Sequence, residues 1–308
     1  TLRTLVEEGK NEVIVSRSEL VEIGGGFRIP EILETSGAKL VEVGATNKTH
    51  LHDYEKAITP QTALILKVHR SNFYIDGFIG EPEIPEIAQL AHDHHLPLVE
   101  DLGSGAIINT DELAPIEHEP TPQECLRRGI DLVIFSGDKL LGGPQSGIIG
   151  GRSDMIAKIK NEPFFRAVRC DKLILTTLQE SIDQYLETKA DPSQSDVPVL
   201  TFLTKSVDEL KARAETIIKE LPTENTEITI ENTLARPGGG TMPRSEFPSV
   251  AIKLVPNKQS VTKLAKNLRV SKSALVGYTT DDALFIDLRT IFPETDHKVA
   301  EALKIALS

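Results

Sequence analysis

The sequence predicts an α/β fold in which a mostly parallel, doubly wound sheet precedes a smaller α+β C-terminal domain. Between residues 12 and 150, six short runs rich in β-branched residues alternate with stretches of helical periodicity. This alternation is typical of parallel sheets covered by helices on both faces. Beyond Gly151 the pattern becomes helical, and strand-like runs return only from Glu227 onward. We therefore predict a large domain over residues 1–190 and a small domain over residues 191–308.

The six predicted strands end in polar or small residues. The strand runs are 13–15, 39–43, 63–68, 96–100, 132–135 and 147–149, and the helical stretches between them are 27–35, 51–58, 83–95 and 121–128. Ligands of such sheets bind beyond the carboxyl ends of the strands. His69, Asp101 and Ser136 follow or end three of these runs, so the sequence predicts a ligand site at this edge of the sheet.

The remainder of the chain alternates less regularly. Helices are predicted over 154–160, 171–188, 206–221, 261–268 and 296–307, and strands over 227–231, 249–254 and 283–288. The polar stretch 190–196 is typical of a linker and marks the predicted domain boundary.

Composition narrows the class of protein. The sequence contains no run of about 18 apolar residues, so it predicts no membrane span. Its two cysteines form neither a metal-binding spacing nor a disulfide framework, and this cysteine usage is typical of a reducing cytoplasm. The histidines at 92, 94 and 95 are interpreted as a solvated helix end, and no metal site is predicted. The formal net charge of -12 argues against general nucleic-acid binding, so a polyanionic partner requires a local basic patch or another part of the protein.

Lys139 lies in the loop Ser136-Gly137-Asp138-Lys139, directly after a predicted buried strand. Desolvating an ammonium group favours the neutral amine, which is the form that Schiff-base chemistry with a carbonyl cofactor requires. Small residues before the lysine let backbone N–H groups approach phosphate oxygens closely. A lone Ser-Gly-x-Lys string is nevertheless more often a surface hairpin with a solvated lysine.

Asp101 favours the interpretation of Lys139 as a Schiff-base lysine over that of a solvated surface lysine. It ends a predicted strand and is followed by Leu102-Gly103-Ser104-Gly105. An Asp-x-Gly string alone is most often a turn, but a strand-end aspartate followed by a later strand-end lysine is the pair that a pyridoxal phosphate enzyme needs. The lysine binds the cofactor's aldehyde, and the aspartate keeps the ring nitrogen protonated.

Several longer strings resemble one family. They are residues 18–25, 41–50, 67–72, 100–105, 135–145, 166–172 and 237–240. In this order they closely resemble the bacterial selenocysteine synthases, the L-seryl-tRNA(Sec) selenium transferases. The resemblance runs from about residue 10 to the end of the chain.

The resemblance implies a fold-type I enzyme with pyridoxal 5'-phosphate as cofactor. Lys139 is implied to carry the cofactor, Asp101 to hold its ring nitrogen and Ser136 to contact its phosphate, while Asp138 is implied to be needed for activity. Family members assemble as rings of dimers, so a homo-oligomer is expected.

The implied reaction converts seryl-tRNA(Sec) to selenocysteinyl-tRNA(Sec) by β-elimination of the serine hydroxyl and addition of selenium from selenophosphate. Arg166 and Arg169 match the family's anion-binding arginines and lie on one helical face if their stretch is helical; an arginine pair considered alone is more often a solvated face. His69 and Asn72 are candidate cofactor-binding residues, although a loop histidine is as often a cap.

The chain departs from the family pattern at its front. The family's N-terminal tRNA-binding domain, first strand and small-residue phosphate loop do not precede Thr1, so we expect an N-terminally truncated chain whose tRNA contacts belong mainly to the missing domain. Two alternatives stay open. One is another pyridoxal phosphate lyase or desulfurase acting on a free amino acid, and the other is a catalytically inert core that only self-assembles.

Overall fold

The computed structural model describes residues 1–188, 191–238 and 240–308, and the chain divides into two compact units. Unit 1 comprises Thr1–Leu200 and Pro237–Ser245, and unit 2 comprises Thr201–Arg236 and Glu246–Ser308. The segment Pro237–Ser245 thus belongs to the first unit although it lies late in the chain. The sequence-based domain boundary after residue 190 stays a prediction.

Unit 1 contains a six-stranded sheet and a small hairpin. Its strands are β1 (Glu12–Ser16), β2 (Glu22–Ile23), β3 (Phe27–Arg28), β4 (Lys39–Val43), β5 (Thr62–Val68), β6 (Leu98–Gly103), β7 (Leu132–Ser136) and β8 (Gly147–Gly151). The sheet order is β4-β1-β5-β6-β7-β8, and all neighbours are parallel except β7 and β8. The predicted mostly parallel sheet is therefore confirmed.

Helices precede, connect and follow these strands, and the last of them continues into unit 2. They are α1 (Leu2–Leu5), α2 (Ile29–Thr35), α3 (Leu51–Ala57), α4 (Ile84–Asp93), α5 (Thr110–Leu113), α6 (Pro122–Arg127), α7 (Ser153–Asn161), α8 (Phe165–Val168), α9 (Lys172–Glu187) and α10 (Pro198–Thr204). The helix predicted from residue 27 begins only at Ile29, because Phe27 and Arg28 pair with Ile23 and Glu22 as a hairpin.

Both faces of the parallel sheet are buried, as its crossover connections require. In β1, Val13 and Val15 pack into one apolar cluster, whereas Ile14 packs into the other. Alternation of side chains across the pleat explains this division. The sheet is therefore anchored on both faces, which leaves its strand ends as the place for polar chemistry.

Unit 2 is an antiparallel sheet with helices. Its strands are β9 (Thr226–Ala235), β10 (Phe247–Pro256), β11 (Tyr278–Thr280) and β12 (Ala283–Asp287), in the order β11-β12-β10-β9, and its further helices are α11 (Val207–Ile218), α12 (Val261–Arg269) and α13 (Asp296–Leu307). Leu254, Leu284 and Leu303 are fully buried in its core. The predicted small α+β architecture is confirmed.

Among the described residues, no helix combines the length and the apolar character that crossing a membrane requires.

Candidate active site

The site lies where three neighbouring parallel strands end. β5, β6 and β7 lie side by side in the sheet, so the residues at their carboxyl ends are brought to one edge. His69 follows β5, Asp101 lies near the end of β6, and Lys139 lies in the turn after β7. The backbone N–H of His69 donates to the carbonyl oxygen of Asp101 at 2.9 Å, which extends the pairing of β5 and β6 by one residue.

Gly103 marks the point where the amine and the carboxylate approach each other. A Cβ atom on Gly103 would lie 3.7 Å from Lys139 Nζ, 4.0 Å from Asp101 Oδ1 and 3.4 Å from Ser71 Oγ. The glycine has a φ of +69°, which L side chains rarely adopt. The backbone conformation therefore favours glycine at this position, whereas a Cβ atom there would make only ordinary van der Waals contacts.

Hydrogen bonds hold the turn that carries Lys139. The N–H of Gly142 donates to the carbonyl oxygen of Lys139 at 2.9 Å, and the N–H of Leu140 donates to the carbonyl oxygen of Ser104 at 3.1 Å. The hydroxyl of Tyr185 donates to the carbonyl oxygen of Leu141 at 3.0 Å. The lysine backbone is thus tied to the loop after β6, the strand that carries Asp101.

Gly240 brings the late segment Pro237–Ser245 against Lys139. A Cβ atom on Gly240 would lie 3.4 Å from Lys139 Cε and 3.5 Å from Nζ. Met242 in the same segment is 1% exposed, and Arg244 pairs with Asp76. The segment is therefore packed into unit 1 and forms one wall beside the amine.

Burial sets the electrostatics of Asp101. Desolvation raises the pKa of its carboxyl group, and the nearby Lys139 charge is the largest influence that lowers the same pKa. The His69 side chain also lowers it, whereas Glu100 raises it. A cationic N–H donor next to this carboxyl group favours its ionised form.

His69 also contacts a buried carboxylate. Its Nε2 lies 2.9 Å from Glu119 Oε1. Both residues line a cavity of about 450 Å³, whose lining includes neither Lys139 nor Asp101. His69 therefore lies between this cavity and the edge of the sheet that carries Asp101.

The other predicted cofactor residues occupy different surroundings. Ser136 is half-buried at the end of β7, and its carbonyl oxygen would lie 2.2 Å from a Cβ on Gly105, so only glycine fits there. Asp138 is exposed and directly precedes Lys139. Asn72 Nδ2 donates to the carbonyl oxygen of Glu22 at 2.9 Å, which ties the loop after β5 to the β2–β3 hairpin.

Arg166 and Arg169 are both exposed, but they do not share a helical face. The helix α8 is four residues long and ends at Val168, and Arg169 follows it with extended backbone dihedrals. The spacing of three residues therefore does not align the two guanidinium groups as a longer helix would. Their role in anion binding stays a prediction.

The residues at the strand ends fit pyridoxal 5'-phosphate. A lysine amine and a half-buried carboxyl group lie within about 4 Å of one point beside Gly103, so Lys139 would hold the cofactor's aldehyde and Asp101 its ring nitrogen. Within the described part of the chain, Ser104 Oγ and Asn72 Oδ1 are buried without a hydrogen-bond partner. Buried polar atoms without a partner are uncommon and are typical of sites that bind a further group.

The fold and this amine–carboxylate pair are those of the fold-type I pyridoxal phosphate enzymes. A solved structure of D-glucosaminate-6-phosphate ammonia-lyase matches with a TM-score of 0.63, covering 97% of this chain and 71% of its own at 22% sequence identity. At that identity the likeness concerns the fold alone.

The sequence comparison is more specific. The family model SelA, L-seryl-tRNA selenium transferase, matches residues 1–292. The L-seryl-tRNA(Sec) selenium transferase of Aquifex aeolicus (strain VF5) is 43% identical over 310 residues, covering 100% of this chain and 67% of the relative. That of Carboxydothermus hydrogenoformans is 45% identical over 285 residues, covering 92% and 60%. The chain belongs to the L-seryl-tRNA selenium transferase family, and it spans about two thirds of the length of these relatives. Family and fold together support pyridoxal 5'-phosphate as the cofactor.

Sequence reasoning did not identify two residues of the site. Gly240 is part of the run Pro237-Gly238-Gly239-Gly240, which is one of the strings that resemble the family, but nothing in that run indicates a contact with Lys139. Glu119 stands in the polar stretch Glu117-His118-Glu119-Pro120, which has the composition of a surface loop. No local signal distinguishes Glu119 from its exposed neighbours.

Proposed function

We propose that this chain forms the catalytic part of an enzyme that converts seryl-tRNA(Sec) to selenocysteinyl-tRNA(Sec). The observation that carries the proposal is the approach of Lys139 Nζ and Asp101 Oδ1 to one point at Gly103, in a chain of the selenium transferase family. An amine and a carboxyl group in this arrangement suit a reaction at the Cα and Cβ atoms of an amino acid.

Lys139 would hold pyridoxal 5'-phosphate through the cofactor's aldehyde, and Asp101 would hold it through the ring nitrogen. Ser136 is assigned to the phosphate, and His69 and Asn72 to the remaining contacts. When bound, the cofactor supplies an electron sink for negative charge that develops on the substrate's Cα.

The chain's own residues supply orientation and proton handling. The half-buried Asp101 carboxylate would keep a positive N–H partner in place, because a nearby cation stabilises its desolvated charge. Lys139 Nζ would be released when the substrate's amine takes its place on the cofactor's aldehyde, and we assign this free amine to accept the proton of the substrate's Cα. The exposed Asp138, adjacent in sequence, is assigned a supporting role in activity.

The substrates require anionic recognition. Selenophosphate is a small anion, and Arg166 and Arg169 are assigned to it because guanidinium groups bind such oxygens through paired N–H donors. The chain itself carries a formal net charge of -12. We therefore propose that contacts with tRNA(Sec) lie mainly outside this chain, and that the enzyme is a cytoplasmic homo-oligomer built from dimers, as a ring.

The variant Lys139→Ala tests the proposal, with Lys298→Ala as a matched control because Lys298 is exposed on α13. The purified chain and the control variant should develop the visible absorption band of lysine-bound pyridoxal 5'-phosphate, and Lys139→Ala should not. Selenium incorporation is then measured on seryl-tRNA(Sec), with free serine and free cysteine as competing substrates. Turnover of only the free amino acids would favour a lyase or desulfurase, and absence of the band in the unmodified chain would favour an inert core.

A further inference from the structure

The geometry points to Glu119 as a positioning residue that orients His69 in the cofactor site. This inference rests on the proposed function, because it gives His69 a task there. Glu119 Oε1 lies 2.9 Å from His69 Nε2, and the side chains are 6% and 24% exposed respectively. The two residues lie 50 positions apart in the sequence, so only the tertiary fold brings them together.

Glu119 is held by contacts that do not involve His69. Its backbone N–H donates to Thr110 Oγ1 at 2.8 Å, and the same hydroxyl donates to the carbonyl oxygen of Glu117 at 2.6 Å. The N–H of Glu117 in turn donates to Ser245 Oγ at 3.2 Å. Thr110 is 2% exposed. The loop that carries the carboxylate is therefore fixed at both ends of a three-residue stretch.

His69 is fixed from its backbone side by the hydrogen bond to the Asp101 carbonyl oxygen. An ionised carboxylate only accepts hydrogen bonds, so its partner Nε2 carries the proton. In a neutral imidazole this leaves the lone pair on Nδ1. Glu119 thus selects one of two tautomers and one ring orientation beside Asp101. A carboxylate that orients a functional histidine is a recurrent arrangement in enzymes and metal sites.

A second carboxylate–imidazole pair of the chain provides a matched control. His118 Nδ1 lies 2.9 Å from Asp111 Oδ1, but the two side chains are 41% and 50% exposed. Asp111→Asn removes a charge of the same kind without touching the His69 pair. Among the imidazole signals, its effect should be confined to those of His118.

The first measurement is ¹⁵N NMR of the imidazole nitrogens in the cofactor-free chain, with His69→Asn used to assign the His69 signals. The unmodified chain and Asp111→Asn should show His69 protonated at Nε2. Glu119→Gln should show a mixture of tautomers, because a carboxamide both donates and accepts. Thr110→Val, which removes the hydroxyl that holds the Glu119 backbone, should shift the same signals in the same direction and serves if Glu119→Gln fails to fold. Unchanged His69 signals in the folded variants would overturn the inference.

The second measurement is the affinity for pyridoxal 5'-phosphate, read from absorption titrations. Loss of one buried, charge-assisted hydrogen bond should raise the dissociation constant about tenfold in Glu119→Gln. If Glu119 acts through His69, the double variant Glu119→Gln/His69→Asn should bind the cofactor as His69→Asn does alone. Additive losses, or an affinity equal to that of the unmodified chain in Glu119→Gln, would refute the positioning role. Failure of the proposed function is distinguishable, because the unmodified chain would then either bind no cofactor or bind it and act only on free amino acids, whatever the NMR signals show.

Discussion

A methyl group at position 240 is expected to weaken binding of pyridoxal 5'-phosphate by occupying space beside Lys139. In Gly240→Ala the new Cβ would lie 3.4, 3.5 and 3.7 Å from Cε, Nζ and Cδ of the lysine. These are ordinary van der Waals separations, so the lysine itself tolerates the methyl group. The group fills space beside the amine, however, and an atom of a bound cofactor can no longer lie there.

The magnitude follows from two separate effects. Gly240 has a φ of +98°, and an L residue with a positive φ costs about 1–2 kcal/mol in stability. Overpacking beside the amine costs roughly a further 1–3 kcal/mol when the cofactor binds. The second effect corresponds to an increase of about 5- to 150-fold in the dissociation constant.

Gly238 separates these effects. Its φ is +95°, and apart from its chain neighbours no described atom would lie within 4 Å of a Cβ there. Gly238→Ala should therefore lower the unfolding midpoint by about as much as Gly240→Ala, a few degrees each, yet leave cofactor affinity close to that of the unmodified chain. Thermal unfolding and absorption titration of both variants test this. Equal affinities in the two alanine variants would refute the reasoning.

Two further outcomes are expected. Arg166→Ala and Arg169→Ala should each weaken selenophosphate use roughly 10- to 100-fold, as loss of a hydrogen bond to a charged group implies, and leave the cofactor band intact; loss of the band would instead mean that the arginines are structural. The hydrogen bond between Asp111 and His118 raises the pKa of His118 and lowers that of Asp111. The pair therefore stabilises the fold most when the pH lies between these two pKa values. This contribution to stability is lost as the pH rises through the His118 pKa. The unfolding midpoint of Asp111→Asn should thus fall below that of the unmodified chain at about pH 5 and approach it at about pH 9, and a constant difference over this range would contradict the assignment.

Local patterns accounted for much of the architecture. The strand at Lys39–Val43 and the helix at Asp296–Leu307 match the predicted residue ranges, and α6 begins at a capping box of Thr121 and Glu124 with Pro122 in its first turn. These features depend on residues within one turn or one strand, so they can be predicted from the sequence.

Structural elements that are very short, or that depend on distant residues, could not be predicted from the sequence. The β2–β3 hairpin has two-residue strands, and α8 has four residues, so neither produces a full period of any pattern. The prediction of a helix over residues 27–35 was wrong at its start because pairing across the hairpin outweighed helical periodicity at Phe27 and Arg28.

Some residues of the candidate site could be predicted from the sequence, and others could not. Lys139 and Asp101 were identified from strand-end position, since parallel strands place their carboxyl ends at one edge. The sequence does not show how near the two side chains lie; the fold places Lys139 Nζ and Asp101 Oδ1 within about 4 Å of a Cβ position at Gly103. Glu119 and Gly240 lie far in sequence from His69 and Lys139, the residues that they contact. The residues next to them in the sequence do not indicate these contacts.

The amino-acid sequence alone determined the order of strands and helices and the chemistry available at the strand ends, because hydrophobic periodicity and residue type are local properties. Only the tertiary structure decided which loops face that chemistry. The burial of Met242 beside the Gly240 loop and the anchoring of Glu119 through Thr110 depend on packing between distant segments, whose free energy no single stretch of the chain contains.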